Sequence, residues 1–202
     1  IMGTALAVMT FFYCRYRLKS LPIIVGICLL FVISVFTIPS LKQKMFKDDN
    51  VSIEQLQDGK ITKENINSNA RFAMWDFLTG KFYINHELQG AGTGSVQNYM
   101  YTHYVFGGLQ VPHNDYVQIM CDNGLIALVL YLLIGASLIL HSFIVYNRNY
   151  SAVIKMCAIT AGSSMAGLLL TMYSDNVVNY SMATLSIPFG FYGMMLGMKN
   201  NR

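Results

Sequence analysis

Two short segments of the polar, Gly-rich stretch from Asn69 to Gly124 carry residue types that could bind an anion and move a proton. They are Arg71-Phe72-Ala73-Met74-Trp75 and Pro112-His113-Asn114-Asp115-Tyr116. A guanidinium group keeps its charge and pairs with two phosphate oxygens at once, so Arg71 is a candidate anion clamp. Histidine exchanges a proton near neutral pH, so His113 is a candidate base for a hydroxyl group. Each also has a plainer interpretation: Arg71 as a surface residue whose stem packs on Trp75, and His113 as a solvated or helix-capping residue.

The stretch from Leu88 to Ser95 has glycines at alternate positions. It resembles a phosphate-binding loop only loosely, because it lacks the Gly-Lys-Ser/Thr ending. A tight turn is the favoured interpretation. Any phosphate contact would come from backbone N–H groups, with Gly92 and Gly94 as the candidates.

The remaining polar candidates give weaker signals. Asp175 either lines an outer vestibule or lies in water, and His141 falls within an apolar run, where a polar residue usually faces protein or a water-filled cavity. The aromatic residues that follow Ser95 fit an interfacial belt at least as well as a sugar-stacking platform. No zinc-type Cys/His spacing occurs, and we predict neither a metal nor a cofactor.

These residues need a scaffold, and the composition indicates which one. The 202-residue chain is 54% hydrophobic and only 12% charged, against about 25% charged residues in soluble domains. The apolar residues are grouped into runs of about 20, the length that crosses a bilayer as a helix. The sequence therefore predicts an all-α polytopic membrane protein with one large, mainly helical external loop.

The apolar runs predict about five transmembrane helices. Residues 1–39 hold the first two, residues 40–123 form the loop with the candidate site, and residues 124–202 hold helices three to five. The first run meets Arg15 after 14 residues, about 21 Å of helix, which is short of a hydrocarbon core of about 30 Å. We therefore expect the sequence to start inside a helix, with further helices before it.

The charged residues are distributed along the sequence in the pattern expected for a membrane protein. Nine of the ten acids lie between residues 40 and 123, whereas seven of the fourteen Lys and Arg residues lie in short connections and the tail with no acid beside them. Positively charged connections mark the cytoplasmic side, which places the long loop outside. Such a partition does not suit a basic nucleic-acid surface, and we expect no nucleic-acid partner.

Local signals place the candidate residues on helices. The Asn67-Ser68-Asn69 stretch offers N-caps for a helix from about Ala70 to Thr79, with Gly80 as its stop. Asp115 and Gln118 have the form of a capping box, which would set His113 just before a short helix. That position attracts anions. Asp122-Asn123-Gly124 is expected to break this helix before the third span.

The order of these motifs resembles the O-antigen ligase and polymerase superfamily. An Arg-x-x-x-Trp helix (Arg71 to Trp75) precedes Leu-x-Gly-x-Gly-x-Gly (Leu88 to Gly94). His-Asn-x-Tyr (His113 to Tyr116) and acid-x-Gly-Leu (Asp122 to Leu125) follow, leading directly into a membrane span. Each motif is weak alone, but four in this order with the matching topology are fairly specific. The resemblance covers about residues 69 to 130.

The resemblance implies a glycosyltransferase of the bacterial inner membrane, with the large loop facing the periplasm or cell exterior. Its substrates would be a polyprenyl-diphosphate-linked glycan and a lipid or glycan acceptor, and its product a cell-surface polysaccharide such as O-antigen, capsule or exopolysaccharide. No metal is needed by such enzymes. Further arginines that the family uses lie in an N-terminal half without counterpart here, so we expect this stretch alone to be inactive.

The resemblance also implies roles for individual residues. Arg71 would engage the diphosphate and His113 would act on the acceptor hydroxyl. Substrate-binding positions carried over with the motifs are Arg71, Trp75, Gly92, Gly94, Asn114 and Tyr116. The alternative from another class is a non-enzymatic polysaccharide exporter or channel with an external gating loop. The spans contain few mid-membrane polar residues, which favours the enzyme.

Overall fold

The computed structural model describes residues 2–47, 52, 54–55, 58–59, 62, 65–104, 109–178 and 181–200. The elements are α1 (Met2–Tyr16), α2 (Leu21–Thr37), α3 (Pro39–Met45), α4 (Arg71–Leu78), α5 (Ser95–His103), α6 (Asp115–Asn147), α7 (Ala152–Met172) and α8 (Ser181–Asn200). The chain divides into two compact units, Arg17–Ala73 and a second unit of Ile1–Tyr16 with Met74–Arg202.

The unit Arg17–Ala73 is built around α2. A 3-10 turn, Arg17–Ser20, precedes this helix, and Pro22 occupies its first turn, where a missing N–H leaves no bond unmade. Ile38 is extended and α3 starts at Pro39. An isolated antiparallel bridge then joins Phe46 to Ile66.

In the other unit α7 packs against α1, α6 and α8. Small residues allow these close approaches. A Cβ atom on Gly167 would overlap the backbone of Gly3, and one on Gly162 would press on Ser142 of α6. Small residues at helix crossings are typical of membrane bundles, where close van der Waals packing replaces the hydrophobic effect as the driving force.

Helix α6 is longer than a bilayer requires. Its 33 residues extend about 50 Å, against a hydrocarbon core of about 30 Å. Gly124 interrupts it with non-helical backbone angles (φ 80°, ψ 177°). Before this kink the helix carries Asp115, Gln118, Asp122 and Asn123, whereas the residues after it are almost all apolar. Only the part after Gly124 therefore has the composition of a membrane span.

Three helical segments in the described part of the chain are long and apolar enough to cross a membrane. They are Gly3–Thr37, which contains α1 and α2, Asp115–Asn147 and Ala152–Met172. No strand is present among the described residues. The predicted all-α membrane architecture is confirmed, and the number of five spans stays a prediction, as do the boundaries of the loop.

The segment between α4 and the kink has a hydrophobic core of its own. Met74 and Leu78 of α4 pack with Val96 and Met100 of α5 and with Cys121 of α6. Complete burial of a Met or Leu side chain contributes about 1.5–3 kcal/mol. These contacts fix α4 and α5 against the start of α6.

Two local predictions were wrong. Gly80 does not stop the helix, because α4 continues into a π-helical turn, Thr79–Tyr83. Asp115 is not the N-cap of α6: Asn114 is, since its side-chain oxygen accepts the N–H of Val117 at 3.1 Å. The carboxylate of Asp115 bonds to a different element instead. The helix break predicted at Asp122-Asn123-Gly124 appears as the kink at Gly124.

Candidate functional site

His113 is paired with a carboxylate from a distant part of the chain. Its Nδ1 lies 3.1 Å from Oδ1 of Asp175, which follows α7 in a short turn. The histidine side chain is 22% exposed and that of Asp175 is 46% exposed, so the pair is open to solvent on one side. A carboxylate can only accept, which assigns the proton of the neutral ring to Nδ1. Nε2 is then the nitrogen that can take a proton from another group.

Trp75 holds the backbone beside His113. Its indole Nε1 donates to the carbonyl oxygen of Pro112 at 2.7 Å, and its ring meets that of Tyr173 edge-on at 5.6 Å. Trp75 therefore touches the residue before His113 and the turn that carries Asp175. His113 itself has a left-handed backbone (φ 51°), a conformation that costs energy and persists only where neighbours enforce it.

Two other predicted binding residues have structural bonds. Asn114 is only 2% exposed and caps α6. The hydroxyl of Tyr116 donates to the carbonyl oxygen of Leu169 in α7. These bonds attach the start of α6 to the helix that leads to Asp175. Substrate binding by Asn114 and Tyr116 stays a prediction.

A buried polar network lies next to the pair. Asp115 is 1% exposed and Asn176 is fully buried. The Asn176 amide donates to Asp115 Oδ1 at 3.2 Å and to Gln118 Oε1 at 2.7 Å, and the backbone N–H of Val178 donates to Asp115 Oδ2 at 3.0 Å. Burial raises the pKa of Asp115 from 3.8 to about 6, against the opposing effect of its hydrogen bonds.

The glycine-rich stretch is bonded to the α6 kink. Backbone N–H groups of Ala91 and Gly92 donate to the carbonyls of Cys121 and Asp122, each at 2.9 Å. The Asp122 carboxylate accepts N–H bonds from Gly94 at 3.1 Å and Val96 at 2.9 Å. It thereby completes the N-terminus of α5 from a remote position in sequence.

Two glycines permit this close contact. A Cβ on Gly90 would overlap the backbone of Asp122, and one on Gly124 would overlap that of Leu88. Two of the sequence motifs, the glycine repeat and acid-x-Gly-Leu, are thus the two sides of one backbone junction. The N–H groups of Gly92 and Gly94 have protein acceptors, and their contact with a phosphate stays a prediction.

Arg71 is the first residue of α4 and belongs to the unit Arg17–Ala73. Its role, and a cavity shared with His113, stay predictions. Elsewhere, His141 bonds through Nδ1 to the Tyr192 hydroxyl at 2.7 Å, so it faces protein between α6 and α8. His103 stacks on Tyr99 at 4.2 Å. Within the described residues no group of three His, Cys, Asp or Glu side chains could hold a metal ion.

Sequence reasoning missed the pairing of Asp175 with His113. The two residues are 62 positions apart, and no local motif surrounds Asp175. One signal was present: Asp175 is the single acid outside residues 40–123, and the predicted topology puts it on the same side of the membrane as the loop.

Fold and site together define an all-α membrane protein with a histidine–carboxylate pair beside the end of a membrane helix. The family model described as O-antigen ligase matches residues 1–132. The chain therefore belongs to the O-antigen ligase family, and it is a membrane enzyme of the glycosyltransferase type that acts on glycans. No curated protein and no solved structure matches it.

Proposed function

We propose that the protein transfers a glycan from a polyprenyl-diphosphate carrier to a sugar hydroxyl, with His113 as the general base. The observation that carries this proposal is the bond between His113 Nδ1 and Asp175, which directs Nε2 away from the carboxylate as the proton acceptor. A histidine with one nitrogen held by a carboxylate is the arrangement that activates hydroxyl nucleophiles in unrelated enzymes.

In the proposed reaction, the acceptor oxygen forms a bond to the anomeric carbon of the glycan. The bond from that carbon to the phosphate oxygen breaks, and the lipid diphosphate leaves with the electron pair. The hydroxyl proton passes to Nε2 of His113, and the Asp175 carboxylate stabilises the resulting imidazolium. Base catalysis of this kind is worth about 10²–10⁴-fold in rate.

Arg71 supplies the second part of the proposed chemistry. The leaving diphosphate gains negative charge as the bond breaks, and a fixed guanidinium stabilises that charge with two parallel hydrogen bonds. We assign Trp75, Gly92, Gly94, Asn114 and Tyr116 to the surroundings of the bound substrate. Among these, Trp75 is supported by its bond to Pro112, which couples its position to that of His113.

The proposed location is the outer face of the bacterial inner membrane, with the loop in the periplasm or at the cell exterior. The partition of charge along the sequence supports this orientation. A lipid-linked substrate has to be bound at the membrane surface, which is where the proposed orientation puts the start of α6. The product is a cell-surface polysaccharide, either extended by a polymerase or joined to its acceptor by a ligase.

The test uses the full-length protein in a strain lacking the chromosomal copy. His113→Ala and Arg71→Ala should abolish glycan assembly, whereas Lys81→Ala, which removes another cation of the loop, should leave it intact. Normal glycan in both of the first two variants would refute the assignment. The accumulated material identifies the reaction: single repeat units on the carrier indicate a polymerase, and long unattached chains a ligase. Complete glycan that accumulates on the cytoplasmic side of the membrane would indicate an exporter.

A further inference from the structure

The two segments that carry the His113–Asp175 pair are joined a second time, directly behind it. Asp115 lies two residues after His113, and Asn176 follows Asp175. The amide of Asn176 donates to Asp115 Oδ1 at 3.2 Å, and Asp115 Oδ2 accepts the N–H of Val178 at 3.0 Å. The start of α6 and the turn after α7 are therefore bonded both at the exposed pair and in the buried layer beneath it.

Asn176 contacts both layers. Its backbone N–H donates to Oδ1 of Asp175 at 2.9 Å, the same oxygen that faces His113. Its side chain donates to Asp115 and to Gln118 of α6. A displacement of Asn176 would consequently move the Asp175 carboxylate relative to the imidazole.

The exposed pair alone is a weak restraint. It is one hydrogen bond between side chains that are 22% and 46% exposed, so water competes for both partners and the bond contributes little. The buried layer has Asp115 at 1% exposure and Asn176 at 0%, where hydrogen bonds are stronger and side chains hold one geometry. The buried contacts are thus the ones able to fix the distance within the pair.

The buried layer also has an energetic cost. Oδ1 of Asn176 has no hydrogen-bond partner within the part of the chain that the structure describes. Leaving such a buried acceptor unpaired lowers the stability of the fold. The amide group is nevertheless needed here, because an apolar side chain would remove the donor to Asp115 Oδ1 and Gln118 Oε1.

We propose that Asp115 and Asn176 are positioning residues, which hold His113 and Asp175 at bonding distance for proton transfer. This inference rests on the proposed function, in which His113 is the base. It assigns a catalytic consequence to two residues that contact neither the substrate nor the reacting atoms. Asp115 acts through the start of α6, and Asn176 acts through the turn that presents the carboxylate.

The experiment compares Asp115→Asn, Asn176→Asp and the double exchange D115N/N176D in the full-length protein, reconstituted in liposomes with lipid-linked glycan and acceptor. Each single variant replaces the carboxylate–amide pair by two amides or by two carboxylates, whereas the double exchange restores one amide opposite one carboxylate. Since a displacement of about 1 Å can cost about 10²-fold in rate, each single variant should lower kcat by about 10- to 100-fold. KM for the carrier should stay within about twofold, because neither residue binds it. The double exchange should recover at least about tenfold of the lost kcat.

Asn123→Asp is the matched control, because Asn123 lies on the same helix and bonds Thr93 of the loop at 2.6 Å instead of the pair. Its kcat should equal that of the unaltered protein. Should Asn176→Asp fail to accumulate, Asp115→Asn decides, since it keeps the size of the side chain and an acceptor for Val178. Single variants with unchanged kcat, or an exchange that recovers nothing, would overturn the inference.

His113→Ala and Asp175→Ala measured in parallel separate the two claims. If His113→Ala is inactive and Asp175→Ala lowers kcat while Asp115→Asn and Asn176→Asp are fully active, the positioning role fails and the proposed base stands. If His113→Ala retains kcat, the proposed function fails and the positioning role fails with it.

Discussion

Asp175→Asn is the substitution that tests the histidine–carboxylate pair most directly. Asparagine keeps the shape of the side chain and can still accept a hydrogen bond from Nδ1 of His113. What it removes is the negative charge that faces the ring when Nε2 has taken the acceptor proton. The expected defect therefore lies in the transfer step.

The size of the defect follows from the distance. Two unit charges 3.1 Å apart attract by about 5 kcal/mol at an effective dielectric constant of about 20, and by about 1.3 kcal/mol in bulk water. The Asp175 side chain is 46% exposed, which places the attraction in the lower part of this interval, about 1–3 kcal/mol. At about 1.36 kcal/mol for each factor of ten, kcat should fall by about 5- to 150-fold.

The assay is the initial rate of glycan transfer in liposomes that contain the full-length protein, with the carrier varied at saturating acceptor. KM for the carrier should stay unchanged. Asp76→Asn is the matched control, because Asp76 is exposed on α4 and its loss removes the same charge from the same region. A kcat of Asp175→Asn within twofold of the unaltered protein, with His113→Ala inactive, would refute the role of the carboxylate.

Three further outcomes are expected. Trp75→Phe keeps an aromatic ring but loses the 2.7 Å hydrogen bond to the carbonyl oxygen of Pro112. We expect kcat to fall about 2- to 10-fold at constant protein level. An unchanged kcat would show that this hydrogen bond does not position His113. Gly90→Ala should lower the melting temperature more than Gly94→Ala, because both have left-handed backbones but only a Cβ at Gly90 overlaps the α6 kink, and equal losses would contradict the junction. Burial raises the pKa of Asp115 to about 6, above its ordinary 3.8, so ionisation opposes folding: stability should be greatest below about pH 4 and fall by about 3 kcal/mol as pH rises to about 6. Asp115→Asn should lack this slope in thermal unfolding between pH 4 and 7, and an identical slope would exclude Asp115 as its source.

Much of the fold could be predicted because membrane helices are encoded locally. Runs of about 20 apolar residues and one-sided charge suffice to recognise them. The kink at Gly124 was also predictable, since Asp-Asn-Gly disfavours a continuing helix. Gly80 shows the limit of local rules: its neighbours in α4 and the following π-helical turn are fixed by packing against α5 and α6, which overrides the tendency of one glycine to end a helix.

The candidate site was predictable only in part. His113 stood out because Pro112 and a helix start surround it in sequence. Asp175 did not stand out, because its pairing with His113 depends on how α6 packs against α7. The hydrophobic periodicity of the sequence does not predict which residues this packing brings together. The same holds for the N-cap of α6, where two adjacent residues are equally suitable. Asn114 caps the helix because Asp115 is bonded to Asn176, a contact that no local pattern announces.

The junction between the glycine-rich stretch and the α6 kink has a consequence for the order of folding during synthesis. The N-terminus of α5 receives its acceptors from Asp122, which leaves the ribosome about 26 residues after Val96. Until Asp122 arrives, the first turn of α5 lacks the bonds that complete it, and a nine-residue helix is unstable alone. The loop therefore acquires its final conformation only as the third apolar run is being inserted. The His113–Asp175 pair forms later still, because Asp175 follows α7 in the chain.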